Sequence, residues 1–275
     1  MDKAYLVRYG EISLKGLNRN YFENKLASNI KFCLGRNKIM FRVEKLRGRV
    51  IVYSEDDCSC LADVFGITSF SAAVVVDLAK INNIVLDIIK DKKFRSFKIS
   101  AKRLDSSSKR TSMELNCELG ELVMKHKKTK VDLTNPALDI GIEIIKGNAY
   151  IFTERTEALC GLPVGVEGSA IAFLENDDSI VAAFLAMKRG CSITPVALDE
   201  LDIKALEKFS NHELKLVKIK DYSEIDKIAA EYNALAVISG SREYLAKSSL
   251  KTTVFYPLIG YNNREITRLK KLINS

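Results

Sequence analysis

A chain of 275 residues with 47% hydrophobic and 28% charged residues is too long for one small core and too evenly mixed to be disordered, so two or three packed domains are expected. No run of 18 or more apolar residues is present, and the opening MDKAYLVRYGE lacks a signal peptide's apolar stretch; these features argue against a membrane partner and set the cytoplasm as the expected location. Six cysteines without a CxxC pair and only two histidines leave few parts for a zinc cage, a disulfide framework or a Ser-His triad, so no metal site is expected.

In chain order, residues 3–8 and 39–53 read as strands, the latter a hairpin around Leu46-Arg47-Gly48, and Tyr21 to Leu34 has helical spacing. This is a small α+β unit. Helical segments follow at 61–64 and 82–89, then a strand from Phe94 to Ala101, a helix from Glu114 to Met124, and two strands between Asp139 and Phe152 around Gly147-Asn148. The net charge of +8 is local to this region. Residues 92–130 hold twelve Lys or Arg against four Asp or Glu, and the rest of the chain is balanced. Within it, FRSFKISAKRLDSSSKRTSMEL places cations on both sides of a serine turn ahead of a helix that starts at Thr111 or Ser112, with free amides at its start. By itself this is either a solvated basic face or a polyanion site.

GLPVGVEGS, at 161–169, is the clearest boundary in the chain. Beyond it apolar strands (170–174, 192–198, 213–219, 234–238) alternate with helices (to Gly190, 201–208, 223–233, 262–273), the pattern of a parallel sheet with helices on both faces. Ligands of such sheets sit beyond the carboxyl ends of the strands, which directs attention to Glu175, Asn176, Asp177 and Asp178 between the first strand and its helix. Carboxylates stand where phosphate-binding turns carry glycines.

RYGEISLKGLNRNYFENKL, VFGITSFS, FKISAKRLDSSSKRTSMEL, KVDLTNPALDIGIEI, GLPVG, DSIVAAFLAMKRG, ALAVISGS and YPLIGYNNREI together resemble the tRNA 4-thiouridine synthetase (tRNA sulfurtransferase) family over nearly the whole chain. The resemblance implies an α+β N-terminal half, made of a ferredoxin-like domain at 1–60 and a THUMP RNA-binding domain at 61–160. An α/β Rossmann-like PP-loop (ATP pyrophosphatase) domain with a parallel sheet follows at 168–275. It implies tRNA as partner, held at the acceptor stem and 3′ end by Arg8, Lys15, Arg19, Lys98, Lys102, Arg103, Lys109 and Arg110; Lys125, Lys127 and Lys128 are added from charge alone. Tyr9 and Phe97 are either base-stacking or core residues.

The family's PP-loop pattern, Ser-Gly-Gly-x-Asp-Ser, falls on Leu174, Glu175, Asn176, Asp177, Asp178 and Ser179, of which only Asp178 and Ser179 match. Two side chains replace the glycines that let backbone amides approach a phosphate, so the expectation is a degenerate loop without ATP as cofactor, the helix being capped by Asn176 or Asp177. The family's sulfur-relay cysteine has no counterpart at 213–222, and no rhodanese domain is expected after YPLIGYNNREITRLKKLINS. The expected protein binds tRNA, with chemistry left to a separate catalytic or sulfur-carrier protein and a homodimer as a further option. The alternative is an active sulfurtransferase using ATP and Mg²⁺ through an atypical loop.

Overall fold

The computed structural model describes residues 2–46, 48–243 and 250–274. Its contacts group into two compact units: residues 2–8, 39–58 and 69–157, and residues 9–38, 59–68 and 158–274. The elements run in the order β1 (Asp2–Tyr9), α1 (Arg19–Arg36), β2 (Arg42–Leu46), β3 (Arg49–Tyr53), β4 (Ile67–Asp77), α2 (Ile81–Lys90), β5 (Ser96–Arg103), α3 (Ser112–His126), β6 (Lys130–Val131), β7 (Leu138–Ile145), β8 (Asn148–Phe152) and β9 (Thr156–Glu157). There follow β10 (Ser169–Phe173), α4 (Asp177–Lys188), β11 (Ser192–Ala197), α5 (Lys204–Glu207), β12 (Val217–Lys218), α6 (Ile225–Glu231), β13 (Ala234–Ser239), β14 (Thr253–Phe255) and α7 (Asn263–Asn274).

The first unit is built on one mixed sheet in the order β2-β3-β1-β4-β8-β7-β5-β6, with β9 against β4. Most neighbours are antiparallel, but β5 runs parallel to β7 and β6. One face carries Ile99, Ile140, Ile142 and Ile151 against Leu115, Leu119 and Val123 of α3 and Ile84, Val85 and Ile89 of α2. The other packs Leu6, Ile51, Ala73 and Tyr150. Two sequence readings shift here. Arg47, placed at the centre of the β2–β3 hairpin, lies outside the described residues. The β7–β8 turn is Lys146-Gly147, both at left-handed φ (50° and 80°), one residue earlier than Gly147-Asn148.

Strand β4 was not read from the sequence as an element, and its inward serines explain why. Ser69 and Ser71 are fully buried in a stretch where alternation would call for apolar groups. Each is satisfied by an arginine: Arg155 Nε donates to Ser69 Oγ at 2.9 Å and Arg8 Nη1 to Ser71 Oγ at 3.0 Å.

The second unit is an all-parallel sheet in the order β12-β11-β10-β13-β14. In strand sequence this is 3-2-1-4-5, a doubly wound arrangement whose order reverses between β10 and β13. Along β10, Ala170 and Ala172 face a core with α4, α5 and α7, while Ile171 and Phe173 face one with α6. Both faces of the strand are covered, so it reads as a continuous apolar run. Phe65, Phe184 and Phe209 meet at centroid distances of 5.0–5.6 Å in the first of these cores.

The segment at 161–169 is no loose tether. The Leu162 amide donates to Lys188 C=O at 3.0 Å and the Gly165 amide to Gly190 C=O at 2.7 Å, with Leu162 and Val164 buried. The helix read over 201–208 shortens to α5, because the Asp202 carboxylate takes the Lys204 amide (2.9 Å) and the flanking turns close three residues back. The strand at 213–219 shortens to Val217–Lys218, which pairs β11 at the sheet edge.

Candidate nucleic-acid interface and nucleotide crevice

The basic segment surrounds the start of α3 in the first unit. Lys102, Arg103 and Lys109 are exposed. Arg103 Nη1 donates to the carbonyl of Ser108 at 3.0 Å, and the buried Ser108 hydroxyl donates to the Arg110 carbonyl at 3.1 Å, so the loop has a fixed form. Arg110 pairs with Glu118 at 2.8 Å, and Lys98 lies 3.8 Å from Asp139. The N-cap of α3 is Thr111, and the helix start is not open: Thr111 Oγ1 accepts from the Glu114 amide (3.2 Å) while the Glu114 carboxylate accepts from the Thr111 amide (2.7 Å). Those hydrogen bonds hold the Glu114 carboxyl below its ordinary range. Cationic side chains, rather than helix amides, are what this loop offers a phosphate.

Lys125, Lys127 and Lys128 follow at the far end of α3, whose 15 residues span roughly 22 Å at 1.5 Å each. Lys125 and Lys128 are exposed, whereas Lys127 Nζ donates to the carbonyls of Lys90 (2.6 Å) and Lys92 (3.4 Å) and so closes the end of α2. In the second unit, Lys15 lies over the Phe22 ring at 4.7 Å and Arg19 pairs with Glu23 at 2.7 Å.

Arg8 is a correction. It is 7% exposed, its guanidinium bonded to Glu143 and Ser71 and stacked 4.8 Å from the Phe152 centroid, so it belongs to the core of the sheet and not to an RNA-facing surface. Tyr9 and Phe97 are also buried, which settles both as core residues rather than stacking platforms.

At the reversal point of the parallel sheet, Leu174 is buried and extends β10, its amide donating to Val196 C=O at 2.8 Å. Asn176 is the N-cap of α4. Its Oδ1 accepts from the amides of Asp178 (2.9 Å) and Ser179 (3.2 Å), and the Glu175 amide donates to Ser179 Oγ at 3.2 Å. The Glu175 side chain reaches solvent, yet desolvation by the surrounding protein pushes its carboxyl up. Asp178 has the opposite surroundings: Lys270 Nζ at 2.8 Å and Arg242 Nη2 at 2.6 Å, with the Lys270 hydrogen bond foremost in holding its carboxyl down. Arg242 also donates to Asn263 Oδ1. Asp177 is exposed, 3.9 Å from Lys270.

Gly240, just past β13, closes the crevice from the other side. A Cβ there would stand 2.6 Å from the amide nitrogen and Cα of Ser179, so only glycine permits this approach. Arg242, Lys270 and Gly240 were missed in the sequence. The one usable signal was that the loop after the fourth strand of a doubly wound sheet borders the same crevice as the first. Replacing Asn176 by alanine is expected to cost about 1 kcal/mol through loss of the cap, measurable by urea denaturation. No group of three or more His, Cys, Asp or Glu placed to hold a metal occurs among the described residues, and no described helix is long and apolar enough to cross a membrane.

These features define a class: a protein with a mixed-sheet α+β unit that carries a cationic loop, and a C-terminal doubly wound α/β domain. Residues 4–71 match the ThiI ferredoxin-like domain and residues 76–154 the THUMP domain. The whole chain aligns with the probable tRNA sulfurtransferase of Thermococcus kodakarensis at 30% identity, covering 88% of that protein, and with that of Mycoplasmopsis synoviae at 32%, covering 85%. Among solved structures it is similar to PH1313 from Pyrococcus horikoshii (30% identity, TM-score 0.89, all of both chains). It is also similar to a 4-thiouridine synthetase crystallised with RNA and bound ATP (29% identity, TM-score 0.84, 99% of this chain and 85% of that one). The chain belongs to the tRNA sulfurtransferase family.

Proposed function

We propose that this protein binds tRNA through its ferredoxin-like and THUMP parts and that its switch-point crevice does not seat a triphosphate. The basic loop at 102–110 and Lys125 and Lys128 supply phosphate contacts, with Lys15 and Arg19 contributing from the second unit. Phosphate contacts position an RNA without reading its bases, so recognition rests on helix shape and on the single-stranded end.

The observation that carries the second half is the Asn176 cap: Oδ1 holds the Asp178 and Ser179 amides that a phosphate at this helix start would take. Displacing it leaves Glu175 beside the incoming charge. A carboxylate about 4 Å from a phosphate costs roughly 4 kcal/mol at an effective dielectric near 20. Micromolar affinity totals only about 8 kcal/mol, so that repulsion weakens binding several hundredfold. Asp178 is already neutralised by Arg242 and Lys270, which argues against its recruiting Mg²⁺. ATP and Mg²⁺ do not fit the residues present, and chemistry on the bound tRNA would fall to a separate catalytic or sulfur-carrier protein.

Calorimetric titration with ATP, with and without tRNA, tests this reading. No binding below millimolar concentration is expected in either case; micromolar affinity, or release of AMP and pyrophosphate, would restore the second reading, an active sulfurtransferase, which the names of the relatives favour. The double change Glu175→Gly, Asn176→Gly is expected to raise ATP affinity at least about tenfold by removing one charge repulsion and freeing two amides.

A further inference from the structure

An apolar cavity in the second unit lies away from the start of α4. It has a volume of about 690 Å³, within the range of about 300–1,000 Å³ usual for small-molecule sites. Its floor includes Leu185 and Ala186 of the C-terminal half of α4, Ile238 of β13 and Leu269 of α7. Phe255 and Tyr261, 55% and 36% exposed, also line it and leave ring area open to solvent. Lys188 and Arg189 supply cations to the same cavity. Glu11, the one carboxylate among the described lining residues, meets Arg189 only at 3.7 Å, which leaves most of the Arg189 donors and the Lys188 charge for another partner.

An apolar floor, open aromatic faces and a pair of cations are complementary to a flat heteroaromatic ring carrying an anionic group. We infer that this cavity is a second site, for a nucleoside monophosphate group: the base stacks against Phe255 or Tyr261 over the aliphatic floor, and Lys188 and Arg189 take the phosphate. Base–aromatic stacking contributes about 1–3 kcal/mol per base and tolerates any base, so the site selects a nucleotide without selecting which one. The same chemistry is offered by a free mononucleotide and by the unpaired end of an RNA. The site shares no residue with the Asn176 cap and does not rest on the reading of that crevice.

Cys160 and Cys191 line the cavity and serve as reporters, with the exposed Cys117 of the first unit as an internal control. The full chain is alkylated with iodoacetamide, and each cysteine peptide is followed by mass spectrometry. Uridine and adenosine 5′-monophosphate, an oligouridylate and decanoate are the probes. Nucleotide at about ten times its Kd is expected to slow Cys160 alkylation roughly tenfold, by mass action, and to leave Cys117 unchanged. Phe255→Ala with Arg189→Ala is expected to abolish the protection, with Cys117 labelling and circular dichroism unaltered, while Asp178→Ala leaves it intact. Protection by the oligouridylate at far lower concentration identifies an RNA end as occupant; equal protection by the monophosphates identifies a free nucleotide. No protection by any nucleotide at millimolar concentration, protection by decanoate alone, or protection that survives the double variant each overturns the inference.

Discussion

Replacing Glu143 by alanine is expected to destabilise the first unit by about 3–5 kcal/mol, the range for breaking a buried ion pair from one side. Glu143 is 4% exposed and accepts from Arg8 (3.0 Å) and from Arg49 (2.7 Å). Removing it takes from the buried Arg8 its paired carboxylate and leaves its charge beside those of Arg49 and Arg155. Replacing Arg8 as well, Arg8→Met with Glu143→Leu, is expected to cost less than Glu143→Leu alone, because the more buried of the two guanidinium groups is no longer left unpaired, while Arg49 keeps its bond to the Gly48 carbonyl. Urea denaturation at neutral pH measures both; a loss below about 1 kcal/mol for Glu143→Ala would show that the network is not buried as described.

The pH dependence has a definite sign. Burial would raise the Glu143 carboxyl, but the hydrogen bond and charge of Arg49, with the charge of Arg8, outweigh it and hold it below its ordinary value. A carboxyl lowered on folding stabilises the protein above its unfolded pKa, near 4.3, and that contribution is lost as pH falls from there through the folded value. Glu143→Gln is therefore expected to flatten the acid limb of the stability curve below about pH 4–5. An acid limb unchanged by this substitution would assign it to other carboxylates.

The second large effect is on tRNA. Lys102→Glu with Lys109→Glu is expected to weaken tRNA binding at least about tenfold near 0.1 M salt, since both attraction to phosphates and counterion release are lost. If about five phosphates are engaged, log K falls against log salt with a slope of −3.5 to −4.5, and removing two contacts makes it shallower by about 1.4–1.8. Both lysines are exposed and make no ion pair among the described residues, so their loss leaves the fold intact. Lys125→Glu with Lys128→Glu, at the other end of α3, reports whether the RNA follows the helix or stays at the loop. A wild-type affinity insensitive to salt, or an unchanged slope in both variants, would remove RNA from the role of these cations.

Much of the architecture was legible in the chain. The apolar runs of β10, β11 and β13, alternating with helices, identified a parallel sheet because strands covered on both faces have no polar side to show. The +8 surplus located the exposed cations at 102–109 because charge clustered in sequence stays clustered on one loop. The cap of α4 was narrowed to Asn176 or Asp177, since an N-cap bond spans only two or three residues, and the structure gives it to Asn176. Strand β4 was not legible, because the groups that make its inward serines tolerable, Arg8 and Arg155, lie 63 and 86 residues away.

The sequence by itself determined most of the strands and helices, where the excess positive charge lies, and that Glu175 and Asn176 follow β10. All of these depend on neighbours a few residues apart. Only the tertiary structure decided which charges remain available. Arg8 turned inward to Glu143, Lys127 closed α2, and Asp178 drew Arg242 and Lys270 from 64 and 92 positions away. The energy of a charge depends on the solvent and partners around it, and those are set by segments that meet only when the sheets assemble.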